Sequence, residues 1–140
     1  MRNFIIAIWY ILYISCHAQQ NQSTKLKGTV WECKITEDCV NTYKFMTDST
    51  FKFLSCEMQD EYYGDYFFKD GFLMLDEKGS VYDKNLPDSS ADKAERKLYK
   101  VAFIGKKLKH LSMSDWIDGK WIQSNYKFNE DYLYEKVKSK

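Results

Sequence analysis

The stretch GDYFFKDGFLMLDEKG, residues 64–79, decides the fold class. Two apolar runs flank Asp70-Gly71. That dipeptide favours a type I′ turn, because both central positions need positive φ and the turn's twist matches that of the strands it joins. A tight two-residue link makes the two runs neighbouring antiparallel strands. Asp118-Gly119 in DWIDGKWI repeats the signal, while Gly105-Lys106 in VAFIGKKLKHL and the FNEDY segment mark weaker turns. Working outward, TVWECKI alternates, with Trp31, Cys33 and Ile35 on one face and Glu32 and Lys34 on the other. TYKFM and TFKFLS continue the pattern through Tyr43, Phe45, Phe51 and Phe53, with a TDS turn between them.

Strands are expected at about 28–35, 40–46, 50–56, 63–69, 72–76, 97–104, 107–113, 120–128 and 131–137. No segment carries a sustained helical stripe. Residues 77–96 hold the only proline, Pro87, and mixed charge. They read as one long connection, with a helical turn beginning at Ser89 or Ser90. Consecutive hairpins place successive strands side by side, and eight or so such strands protect their edges by closing. The expected fold is all-β, an antiparallel up-and-down barrel of about eight strands.

The chain opens MRNFIIAIWYILYISCHAQQ. Arg2, then an apolar run, then small residues and a polar exit are the order of a secretory signal peptide. The expected division is a signal over 1–18, a polar tether over 19–25 and one domain over 26–140. Two export routes fit. Cleavage after Ala18 releases a soluble chain. Alternatively, YISC resembles a bacterial lipobox at Ser15 and Cys16, making Cys16 a lipidated membrane anchor. The expected location is periplasmic, secreted or outer-membrane-anchored in a bacterium.

Loss of residues 1–18 removes Arg2 alone among the charged side chains, leaving 20 basic and 20 acidic residues. A neutral domain argues against nucleic acid as a partner, since phosphate contacts need clustered positive charge. The short run Lys106, Lys107, Lys109, His110 reads as a solvated strand edge. An aromatic content of 17% supplies enough apolar surface for a real core.

Catalytic motifs are sparse. His110 is the only histidine after residue 18, which removes two-histidine zinc motifs. The sequence contains no Gly-x-Ser-x-Gly, Gly-rich phosphate loop or dinucleotide fingerprint. Asp60/Glu61 and Asp115/Asp118 are better read as turn residues than as a glycosidase pair. Cys33, Cys39, Cys56 and His110 lack the close cysteine spacing of structural zinc sites. The expectation is no enzyme, no metal and no cofactor. Aromatic clusters are the candidate binding features: Trp116 and Trp121 about the second Asp-Gly turn, and Tyr62 and Tyr66 before the first. Such faces at a barrel mouth suit a small apolar or glycan ligand, although cross-strand aromatic pairs also stabilise hairpins unaided. A barrel filled by its own side chains would instead mark a structural or interaction domain of the cell envelope.

Outside the cytosol thiols become disulfides. Spacing alone leaves Cys33–Cys39, Cys33–Cys56 and Cys39–Cys56 open. The parity of Cys33 with Trp31 marks it as a small core residue. The pattern LKGTVWEC…DC…YKF…STFKFLSC…GDYFFKDGFLML…YKVAFIGKKLKHLS, spanning 26–113, resembles the small secreted lipocalin-like domains of bacteria. That resemblance implies a closed barrel, and it favours the pair Cys39–Cys56.

Overall fold

The computed structural model describes residues 26–90 and 93–137. Segments 1–18 and 19–25, with Cys16, lie outside these residues. Nine strands follow one another: β1 (Val30–Thr36), β2 (Cys39–Phe45), β3 (Thr50–Ser55), β4 (Asp60–Lys69), β5 (Phe72–Ser80), β6 (Lys97–Ile104), β7 (Lys107–Ile117), β8 (Lys120–Gln123) and β9 (Leu133–Lys136). β1 to β7 pair in sequence order, each antiparallel to the next. β9 enters between β7 and β1 and closes the ring. The result is an antiparallel eight-stranded barrel, with β8 as an extra strand on the outer part of β7. No helix among the described residues is long and apolar enough to cross a membrane.

The turns follow from their residues. Asp70 and Gly71 have φ of 52° and 80°, the double positive φ of a type I′ turn. Asp118 holds φ 50° in the second Asp-Gly hairpin. Phe45 pairs with Phe51 across the TDS turn, fixing the β2–β3 register. Gly64 sits where β5 bulges against β4, so close that an added Cβ would lie 2.0 Å from the Asp76 carbonyl oxygen.

Several expectations need correction. The segment 120–128 is strand only over Lys120–Gln123, and the last strand is Leu133–Lys136. β8 has a partner only where it lies along β7. Past Ser124, whose N–H donates to the Met113 carbonyl at 2.9 Å, the chain leaves the sheet. β5 runs to Ser80, beyond the expected 76, because it keeps pairing with β4 through its charged residues. The helical turn in the long connection is a 3-10 turn at Asp83–Asn85, rather than at Ser89 or Ser90. Its anchor is the Asp83 carboxylate, which accepts from the N–H groups of Ser80 (3.1 Å) and Ala94 (2.7 Å).

A disulfide joins Cys39 to Cys56, with Cα atoms 5.3 Å apart, and Cys33 is free and buried. Strict register would put Cys56 one residue out of phase with Cys39. The β2–β3 ladder ends at Thr42 and Leu54, which frees Cys56 to turn. Its N–H bonds the Asn41 side-chain oxygen at 2.9 Å in place of a ladder partner.

Candidate functional site

The barrel interior divides along its axis. Towards the β4–β5 and β6–β7 turns it is filled by Trp31, Phe45, Phe51, Leu73, Leu75 and Leu108, each at most 5% exposed. Leu26 packs into the same cluster, and the Trp31 indole donates to Thr29 Oγ1 at 2.8 Å. Towards the other end a cavity of about 330 Å³ remains. That end carries the β1–β2 and β3–β4 turns, the long β5–β6 connection and the 124–132 segment.

Strand parity brings the lining inward. On β5 the inward series Leu73, Leu75 continues to Glu77, which is 4% exposed. Opposite it on β6 stands Lys97, and two residues on from Lys97 is Tyr99. On β7 the series Leu108, His110 is followed by a bulge at Leu111, which restores Met113 to the interior opposite Tyr99. Asn41 and Tyr43 of β2, Phe53 of β3 and Tyr134 of β9 complete the wall. Beyond the sheet, Tyr126, Phe128 and Tyr132 of the irregular segment line the same cavity. The rings are in mutual contact: Tyr43 stacks on Phe53 with centroids 4.5 Å apart, and His110 lies 4.8 Å from Phe128.

The polar groups are held in networks. The Tyr43 hydroxyl and His110 Nε2 share a hydrogen bond at 3.0 Å. The Tyr99 hydroxyl stands beside the Glu77 carboxyl, and Tyr134 beside Asn41. Burial raises the Glu77 carboxyl to about 7, against the opposing pull of Lys97 and the Tyr99 hydroxyl. Burial lowers His110 to about 4, so its imidazole is neutral at pH 7 even though one face meets the cavity. Tyr43, Tyr99 and Tyr134 are pushed up, chiefly by burial, and stay protonated.

Of the residues marked in the sequence, Tyr62 lines this cavity. Tyr66 belongs to the filled half, 2% exposed, and its hydroxyl donates to the Thr47 carbonyl at 2.8 Å. Trp116 and Trp121 do face one another across the β7–β8 hairpin, with centroids 5.0 Å apart. Neither lines the cavity; Arg96 lies over both indoles at 5.1 and 5.0 Å while holding Asp76 through two hydrogen bonds. Thus Tyr62 is brought to the cavity, while Tyr66, Trp116 and Trp121 are not.

His110 faces inward, not along a solvated strand edge as the lysine run suggested. The lysines at 107 and 109 take the other parity. Glu77, Lys97, Tyr99 and His110 were not marked as site residues. Their signal was present: each extends the parity of an apolar series, Leu73–Leu75, Val101 or Leu108, into polar residues.

Protein-family models, curated proteins and solved structures yield no match to this chain. The chemistry of the site therefore rests on its own geometry. Rings supply apolar, π-rich walls, and the buried Glu77 carboxyl, the Lys97 ammonium and several hydroxyls supply directional contacts, with a second carboxyl, Glu57, exposed at the rim.

Proposed function

We propose that this protein is an exported, non-enzymatic, lipocalin-like binding module that takes a small ligand with an apolar or glycan body into the open half of its barrel. The observation that carries this reading is the cavity. Small-molecule sites are concave, mostly apolar, about 300–1,000 Å³, and carry a few placed polar groups. Here the volume is about 330 Å³ and the walls are aromatic, with Glu77, Lys97 and Asn41 among them. Long connections at barrel ends often carry function, and the described parts of the β5–β6 connection (81–90 and 93–96) and the 124–132 segment lie at the cavity's end. Export is supported by the Cys39–Cys56 bridge and by the order of charge, apolar run and small residues over 1–18.

The test is native mass spectrometry of the protein purified from its own host, followed by denaturation. The expected result is a small-molecule adduct released on unfolding, with two hydrogens missing for one disulfide. The same intact mass reports cleavage after Ala18 or acylation of Cys16. A wholly ligand-free protein that also fails to bind fatty acids, planar pigments, oligosaccharides or aromatic metabolites would overturn the reading. Weight would then pass to an envelope interaction domain, the role a filled barrel suits.

A further inference from the structure

The charges in the cavity narrow the ligand class. Glu77 and Lys97 are direct cross-strand partners on β5 and β6, so both side chains project from the same face. Both line the cavity, yet no ion pair joins them among the described residues; the other carboxylate of the lining, Glu57, is exposed on the β3–β4 turn, where water solvates its charge. The Tyr99 hydroxyl stands beside the Glu77 carboxyl and favours its charged form. A carboxylate offers about four lone-pair sites, so capacity remains on the cavity side. Lys97 brings three donors and no acceptor.

Resting on the binding-module reading above, we infer that the ligand is a small aromatic zwitterion, of the class of an aromatic α-amino acid. Its ammonium is held by Glu77, its carboxylate by Lys97 and its ring by the aromatic wall. Elimination by charge decides the class. A monocation meets Glu77 but is opposed by Lys97. A monoanion has the reverse difficulty. A neutral apolar ligand desolvates both groups without compensating either, which is costly in an enclosed site, and a neutral glycan meets them with hydroxyls alone, without the added strength of opposite charge. A zwitterion complements both at once and presents its charges at the short separation of a cross-strand pair. The walls suit the rest of the molecule, because aromatic faces attract both rings and ammonium groups. The cavity is at the small end of the range for ligand sites, which suits an amino-acid-sized body over a long acyl chain.

Isothermal titration at about pH 8, above the value near 7 of Glu77 so that its carboxylate is ionised, tests this on the protein made from its full sequence with four indoles: tryptophan, tryptamine, indole-3-propionate and 3-methylindole. Tryptophan is expected to bind about tenfold or more tighter than each single-charge or neutral analogue, since each lost partner removes a charge-assisted hydrogen bond. Glu77→Gln should weaken tryptophan and spare indole-3-propionate. Lys97→Met should weaken tryptophan and spare tryptamine. The ligand series needs only the wild-type protein, so a misfolded variant does not remove the test. Tryptamine, indole-3-propionate or 3-methylindole binding as tightly as tryptophan would overturn the zwitterion inference and leave the binding module standing. So would failure of all four beside a different adduct in native mass spectrometry. Failure of all four with a ligand-free native protein would likewise overturn the zwitterion inference, and would overturn the binding module too if fatty acids, planar pigments and oligosaccharides also fail to bind.

Discussion

The two halves of the barrel share the same strands and differ in what those strands turn inward. In the filled half the inward residues are Phe45, Phe51, Leu73, Leu75 and Leu108, and the turns are short. In the open half the same strands present Asn41, Glu77, Tyr99 and His110, and two of the connections, between β5 and β6 and from β8 to β9, are long. Close packing at one end supplies cohesion. At the other end polar groups are enclosed at a desolvation cost, which hydrogen bonding offsets: no buried side-chain nitrogen or oxygen among the described residues lacks a partner. One end stabilises the barrel, and the other retains polar groups and space that stability alone would not select. Unequal responses to equivalent substitutions would test that division.

The largest expected effect is in the filled half. Phe51 is 1% exposed and rigidly enclosed, so Phe51→Ala should lower unfolding free energy by about 3–5 kcal/mol, combining lost transfer energy with a new cavity. Phe128→Ala removes a ring that already borders open space. It should cost under about 2 kcal/mol, because fewer packed contacts are lost. Urea unfolding of both variants checks the contrast. Equal costs would mean that the open half is as tightly packed as the other.

Most of the filled half was legible in the sequence, because apolar alternation and turn chemistry coincide there. The Asp70-Gly71 turn, the Phe45–Phe51 register and the inward Cys33 follow from residue type alone. The open half was harder to read because hydrophobicity and facing part company. Glu77, Lys97 and His110 read as solvated when judged by side chain, yet strand parity turns them inward. Residues 124–128 alternate like a strand but have no neighbouring edge to join, and alternation marks faces without guaranteeing pairing. Trp116 and Trp121 were correctly expected to pair, but sequence alone did not show that Arg96 would occupy their exposed faces.

The disulfide bears on the open half. It links residues 17 apart and ties the end of β3 and the β3–β4 turn, from which Ser55, Glu57 and Met58 line the cavity, to the start of β2. Restricting a loop of that size stabilises by about 3 kcal/mol in the chain-entropy view. A Cys39→Ser/Cys56→Ser double variant should lose about that much in urea unfolding. Ligand affinity should fall as the rim loosens. Unchanged affinity would show that the rim is held by Asn41 and the ladder instead.

Acidity separates the two buried titratable groups of the open half. Glu77 faces Lys97 and Tyr99 of β6 and Tyr62 of β4. Its folded value near 7 exceeds the ordinary 4.5. The folded state therefore keeps a proton that the unfolded state releases, and this contribution, full below about pH 4.5, is lost as pH rises through 7. His110 faces Tyr43, Tyr99, Tyr134 and Phe128. Its value near 4 is below the ordinary 6.5, so its contribution is full above pH 6.5 and lost as pH falls through 4. Each is worth up to about 3 kcal/mol, and they oppose one another between about pH 4.5 and 6.5. Relative to wild type, Glu77→Gln stability should rise with pH in that window, and His110→Gln stability should fall. Urea unfolding at several pH values reads both slopes. Parallel slopes in the two variants would contradict the opposed assignments.

The smallest effect concerns the support outside the barrel. Trp116 is 38% exposed, its ring meets Trp121, and the Arg96 guanidinium covers both. An aromatic pair is worth about 0.5–1.5 kcal/mol beyond burial, and an exposed cation–π contact about 0.5–1. Trp116→Ala should therefore cost about 1–2 kcal/mol, well below Phe51→Ala. Arg96 keeps its two hydrogen bonds to Asp76, so the end of the long connection stays docked on β5. Because neither indole borders the cavity, ligand affinity should stay within about twofold of wild type. Titration and urea unfolding of the same preparation distinguish the two roles. A stable Trp116→Ala protein that no longer binds would move the ligand out of the barrel and onto the hairpin. A protein that binds normally after losing stability would assign the hairpin to support of the rim.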